Sequence, residues 1–227
     1  MMSISTRRIK NIGLGKSRRS RYPTTTEERE EEVSHSSHSI LGNIISVSTS
    51  SSDTTSSKND ALPLLQKLAT TATMHGKKRE LDEAWECCTT MKQILQQHAQ
   101  TLPMKKMLAE TYYRMAMIYE TQEELDEALA HYLDSWKLFK QCKEQDALAQ
   151  LEGDMVHSNL WMVKCLVQIS ELLVAVGHYD EALDVADRAI KEMVKIPQDI
   201  HGKELSEMKE KVLSNFNTIL NNGDSET

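Results

Sequence analysis

One six-residue block occurs three times. Glu80-Leu81-Asp82-Glu83-Ala84-Trp85 returns as Glu124-Leu125-Asp126-Glu127-Ala128-Leu129 and again as His178-Tyr179-Asp180-Glu181-Ala182-Leu183. The three alanines are 44 and 54 positions apart. Internal similarity of this kind means that one supersecondary unit is stacked on copies of itself. Each block opens a segment with helical periodicity and follows another such segment, so the unit reads as helix, tight turn, helix. The alanine is small because two helices approach closely there. A larger side chain would force them apart at about 1–3 kcal/mol.

The punctuation fits this reading. Gly76 and Gly177 are expected to end the first helices of units one and three, where glycine relieves the left-handed cap conformation. In unit two, Thr121-Gln122-Glu123-Glu124 has the spacing of a capping box. Pro103 belongs in a first helical turn, where its missing N–H costs nothing. Pro197 closes unit three.

These residues resemble the tetratricopeptide repeat family. Unit two carries Tyr112, Met115-Ala116, Tyr119, Ala128, Tyr132 and Ser135 at motif positions. Unit three carries Leu166, Ile169-Ser170, Leu173, Gly177, Tyr179, Ala182, Ala186 and Ala189. Unit one is weaker, with Leu68, Thr71-Ala72, Ala84, Cys88 and Met91. The pattern covers 61–196. The family's usual period is about 34 residues, so spacings of 44 and 54 imply longer helices, as in the repeats of kinesin light chain. The extra residues of the second interval fall around Gln141 to Asn159, expected as an extended helix and a loop near Gly153.

The resemblance implies an all-α fold, a short right-handed α-α superhelix of about seven helices. Three units occupy 61–200 (about 61–101, 102–146 and 155–196). A capping helix over 201–222 follows, with Leu205, Met208, Val212, Phe216, Ile219 and Leu220 in one stripe. In the family, the first helices line a concave groove that holds a peptide or helix of a partner. Carried over by position, that groove holds Gln66, Ala69 and Thr73 from unit one. Unit two gives Glu110, Tyr113, Met117 and Glu120, and unit three gives Lys164, Val167 and Glu171. Tyr113 and Met117, one turn apart, form its apolar floor, unless they pack against neighbouring helices instead. A subset of the family grips chaperone C-termini through a basic carboxylate clamp. Ala69, Thr73, Tyr113, Met117, Val167 and Glu171 stand at those positions, so the clamp is absent. A mixed apolar and acidic groove suits a ligand with apolar anchors and basic residues.

Composition narrows the alternatives. Residues 61–227 hold 18 Lys/Arg and 27 Asp/Glu, a balance of −9. That argues against nucleic acid as the main partner, because phosphate binding needs clustered cations. Leu160 to Val176 is the most apolar run, but Lys164, Gln168 and Glu171 interrupt it at helical spacing, so no membrane span is expected. The four cysteines form no spaced framework, which suits reduced thiols and an intracellular protein. No HExxH, P-loop, GxSxG or paired CxxC is present. Asp82/Glu83, Asp126/Glu127 and Asp180/Glu181 are adjacent carboxylates that do not face each other on a helix. They suit the positive end of the helix dipole instead. The expectation is a non-enzymatic adaptor or scaffold without cofactor or metal. The alternative is a structural subunit of a homo- or hetero-oligomeric assembly.

Residues 1–60 read differently. Seven Lys/Arg and no acid fall in 1–22, five Glu lie between Glu27 and Glu32, and 14 of the 24 residues from Ser34 to Ser57 are Ser or Thr. Such a composition cannot bury enough apolar surface to offset chain entropy and is expected to be disordered. Its basic start could be an organellar transit peptide or a nuclear import patch on an otherwise cytoplasmic protein, and Ser20 could be a phosphorylation site. Ile40 to Val47 forms an apolar island, a docking motif or a strip lying on the folded part. His35 and His38 lack the further ligands that a metal site needs.

Overall fold

The computed structural model describes residues 57–98 and 101–223. The expectations for the tail before 57, with its basic start, acidic knot and apolar island, lie outside the described residues. Within them there are seven helices and no strand. The helices are α1 (Ser57–Lys78), α2 (Leu81–His98), α3 (Leu102–Thr121), α4 (Leu125–Leu148), α5 (Glu152–Ala175), α6 (Tyr179–Met193) and α7 (Gln198–Gly223). Each packs on the next one in the chain, and α7 lies against both α5 and α6.

Four of the turns are built alike. Arg79, Glu123, Gln150 and Gly177 all take positive φ, between 56° and 81°. At each, the next residue's N–H reaches back to a carbonyl five positions earlier: Glu80 to His75, Glu124 to Tyr119, Leu151 to Asp146 and His178 to Leu173. This is the Schellman closure, which satisfies carbonyls left over at a helix end. Gly177 occupies the left-handed position as expected. Gly76 does not: it lies inside α1, and Arg79, three residues on, takes that conformation. Nor does the capping box form. Thr121 is the last residue of α3 and donates its hydroxyl to the Met117 carbonyl at 2.8 Å, while α4 starts from Glu124 with no side-chain cap. Threonine's competing bond to the preceding turn wins because that carbonyl sits one turn below it.

The long second interval is taken up by longer helices and not by a loop. α4 runs on to Leu148, the turn occupies only 149–151, and Gly153 falls in the first turn of α5 rather than in a loop. At the other end, α7 starts at Gln198 and kinks at His201 (φ −121°, ψ 19°).

Ala84, Ala128 and Ala182 are all buried, the last two within a cluster that joins several helices. Two apolar clusters make the core. One joins Ala109, Ala116, Tyr132, Phe139, Cys165 and Ile169 across α3, α4 and α5, and reaches Ala182 of α6 and Ile219 of α7. The other joins Leu160, Val163, Leu166 and Val167 of α5 to Ala186, Ala189 and Met193 of α6 and to Leu205, Met208 and Val212 of α7. The adjacent acids sit in the first turns of α2, α4 and α6, at the positive dipole end.

Candidate functional site

The groove positions of α3 and α5 come together around an aromatic floor. Tyr113 meets Tyr132 of α4 edge-on (ring centres 5.1 Å apart) and Trp161 of α5 in the same way (5.2 Å). Trp161 in turn stacks on Phe139 at 5.5 Å. Edge-to-face and offset pairs of this kind add to the burial they already contribute. Burial, and then neighbouring negative charge, pushes the Tyr113 phenol up, so the ring stays neutral. One turn further along α3, Met117 is 50% exposed.

Every acid in the groove has a partner within the chain. Glu110 faces Arg114 at 3.3 Å and His157 at 3.7 Å. Burial works against the Glu110 charge, but the hydrogen bonds and charges of His157 and Arg114 outweigh it and hold the carboxyl below its usual range. Glu120 accepts the Tyr132 hydroxyl at 2.8 Å. Glu171 accepts from Gln168 and from Lys211 of α7 at 3.2 Å. The Lys164 ammonium pairs with Glu204 of α7 at 2.7 Å and sits 4.2 Å from the centre of the Trp161 ring.

Helix α7 therefore covers the third unit's share of the groove. Val167 is 2% exposed and packs with Leu205, Met208 and Val212, so it is not offered to a ligand. The repeat pattern assigns Val167 the same position as Tyr113, but here α7 folds over α5 and covers it. Four buried apolar side chains hold α7 in place: Leu205, Met208, Val212 and Ile219. At about 1.5–3 kcal/mol each, their combined burial is far above thermal energy. α7 is a wall of the groove and not a lid. On α1, Gln66 and Thr73 are exposed and Ala69 is half-buried, and on α3 Met117 is exposed.

Trp161, Arg114 and His157 belong to this site and were missed by the repeat alignment. Trp161 was within reach, because it lies three positions before Lys164 and so on the same side of α5. His157 has no such signal, since its contact to Glu110 joins separate helices.

The four thiols are buried. Burial pushes Cys142 up to about 11 and both Cys88 and Cys165 up to about 12. Thiols that stay protonated are poor nucleophiles. Among the described residues, no group of three or more His, Cys, Asp or Glu is placed to hold a metal ion. α5 alone among the described helices is long and apolar enough to cross a membrane, and two-thirds of its apolar window is buried inside the fold.

The described residues thus form an all-α array of seven helices, each packed on the next. No family model matches the chain, and no curated protein is significantly similar to it.

Proposed function

We propose that this chain is a non-enzymatic protein-interaction module of the tetratricopeptide-repeat kind, a short right-handed superhelix that holds a helical or extended segment of a partner on the face of α1 and α3. The observation that carries this reading is the contrast between equivalent positions. Met117 stays half exposed on α3 beside the part-buried Tyr113, while Val167 and Glu171 are engaged by the chain's own α7. A half-exposed methionine next to an aromatic floor is an adaptable apolar contact.

The charge expected of the partner changes. A basic ligand suited a groove with free carboxylates, but Glu110, Glu120 and Glu171 are committed to Arg114, His157, Tyr132 and Lys211. A cation from outside would have to displace these bonds. The segment that fits is apolar and uncharged where it meets Tyr113 and Met117, and its binding depends little on salt.

Affinity capture with the full chain tests this. Met117→Glu loses the partners that wild type retains in high salt, whereas Lys137→Glu, on the outer side of α4, keeps them. Equal capture by Met117→Glu, or release of all partners by salt, contradicts the reading.

A further inference from the structure

The first helix is charged unlike the rest of the array. Residues 61–79 hold four Lys/Arg and no Asp or Glu, whereas 80–227 hold 14 Lys/Arg and 27 Asp/Glu. Packing sharpens the contrast. From Lys92 onward, every described Lys and Arg except Lys209 reaches a carboxylate, an amide or an aromatic ring. Lys67, Lys77, Lys78 and Arg79 are exposed and have no such partner among the described residues. Glu80, the next acid in the chain, is taken by the His75 ring at 2.6 Å. The spacing of Lys67, Thr70, Met74, Lys77 and Lys78 puts them on one side of α1. Leu65, Leu68 and Ala72, on the opposite side, are buried. Within the basic row Met74 is 52% exposed. Cations in a last turn suit the negative end of the helix dipole, but α3, α4, α5 and α7 end without one. Nor does the dipole account for Lys67, about three turns back, because its effect fades beyond the last turn.

We propose that this row of α1 binds a short acidic segment of a partner protein, with an apolar residue among its acids. Charge complementarity selects the segment: four unpaired cations lie on one helix, next to chain that is otherwise strongly acidic. Met74 receives the apolar residue, since a half-exposed methionine adapts to different side chains. The spacing of the segment follows from two geometries. Lys67 and Lys78 are about 16 Å apart along the helix, a span that an extended peptide covers in about five residues. Met74 lies about 10 Å from Lys67 on the same measure. The segment therefore has an acid, an apolar residue three positions on, and further acids two and three positions beyond that. A membrane surface or duplex DNA fits less well, because a large polyanion also meets repulsion from the acids of 80–227. Tyr113 and Met117 take no part in this surface. Salt separates the two, since exposed ion pairs are screened and apolar contacts are not.

Fluorescence anisotropy of the full chain with the labelled peptide Glu-Ser-Gly-Leu-Ser-Glu-Glu reads this out. The expected result is saturable binding at sub-millimolar peptide in low salt, which weakens as salt rises and is absent for the same peptide with Gln in place of Glu. Lys77→Gln combined with Lys78→Gln weakens it about tenfold, the scale of two exposed ion pairs. Its helical circular dichroism spectrum is unchanged, because both positions are exposed and glutamine is a good helix former. Met74→Ser weakens binding as well, whereas Met117→Glu does not. Arg18→Gln combined with Arg19→Gln controls for the basic start of the chain and leaves the affinity unchanged. No saturable binding, or equal affinity of the Lys77/Lys78 variant and wild type, overturns the proposal. So does a loss confined to the Arg18/Arg19 variant. Capture of phosphatidylserine vesicles or duplex DNA that depends on Lys77 and Lys78 more than peptide binding does overturns the choice of a protein segment.

Discussion

The Lys106 ammonium lies 3.0 Å from the Asp146 carboxylate, forty positions later in the chain, and the aspartate is fully buried. Ser158 of α5 donates to the other carboxylate oxygen at 2.8 Å. Three helices are thus joined through one buried acid: α3 by Lys106, α4 by Asp146 itself, and α5 by Ser158. Next to it, Lys143 bridges Asn159 of α5 and Glu192 of α6, both at 2.8 Å. This network stands where the second repeat interval is long, and it gives the extra helical turns of α4 and α5 a reason to stay packed.

Removing one partner of a buried pair leaves the other charge without compensation. Lys106→Met should therefore cost about 3–5 kcal/mol. The urea midpoint is the measurement. Replacing both members, as Lys106→Met with Asp146→Leu, should recover much of the loss, since apolar substitutes for buried pairs are often neutral. A loss below about 1 kcal/mol for the single variant, the level of an exposed pair, would show that Asp146 is not buried as described.

The turns make a prediction of opposite sign. Glu123 and Gln150 hold φ of 63° and 56°, a region that costs a side chain about 1–2 kcal/mol. Glycine there removes that cost and adds some unfolded-state entropy, so Glu123→Gly and Gln150→Gly should each stabilise by about 0.5–1 kcal/mol. Gly177→Ala should destabilise by about 1 kcal/mol. No atom lies within 4 Å of the added methyl, so the effect is purely conformational. Thermal melts of the three variants decide the point.

His131 introduces a pH dependence. Its ring is stacked between Tyr112 (5.7 Å) and Tyr119 (5.3 Å), and its Nδ1 is buried without a hydrogen-bond partner. Burial, helped by Lys92 of α2 and opposed by Asp134, lowers its pKa from the ordinary 6.5. A histidine with a depressed folded pKa binds fewer protons folded than unfolded. Its contribution is present above 6.5 and is lost as pH falls from there toward the folded value. His131→Phe keeps the stacking and should flatten the stability profile in that window. Denaturation at pH 7 and pH 5.5 compares the two. An unchanged slope in the variant would assign the pH dependence elsewhere.

The repeated alanines bear on the same architecture. Ala128 is fully buried where α3 meets α4, and Ala128→Leu should cost at least about 1–3 kcal/mol by overpacking. A neutral effect would mean that the helices are not in close contact there.

How far the sequence carries depends on where each partner residue lies. The helix-turn-helix units, the buried alanines and the acids in first turns were legible because each is a local pattern of a few residues. The left-handed turn positions were not, except at Gly177, because Arg79, Glu123 and Gln150 carry no sign of positive φ in their residue type. Within the groove, the Arg114 partner of Glu110 lies one turn away and could be read directly. The partners of Glu120 and Glu171 come from Tyr132 and Lys211 on other helices, and only the packed structure pairs them. The groove looked acidic for that reason. Val167 looked accessible because a repeat alignment treats the last unit like the others, whereas α7 closes over it.

Hydrogen–deuterium exchange of the full chain, with and without the partner segment it captures, tests the central claim most directly. The account predicts new protection on α1 around 66–73 and on α3 around 110–120, with α5 and α7 unchanged. Protection that appears on α5 with loosening of α7, or only on the outer faces of α4 and α6, would contradict it.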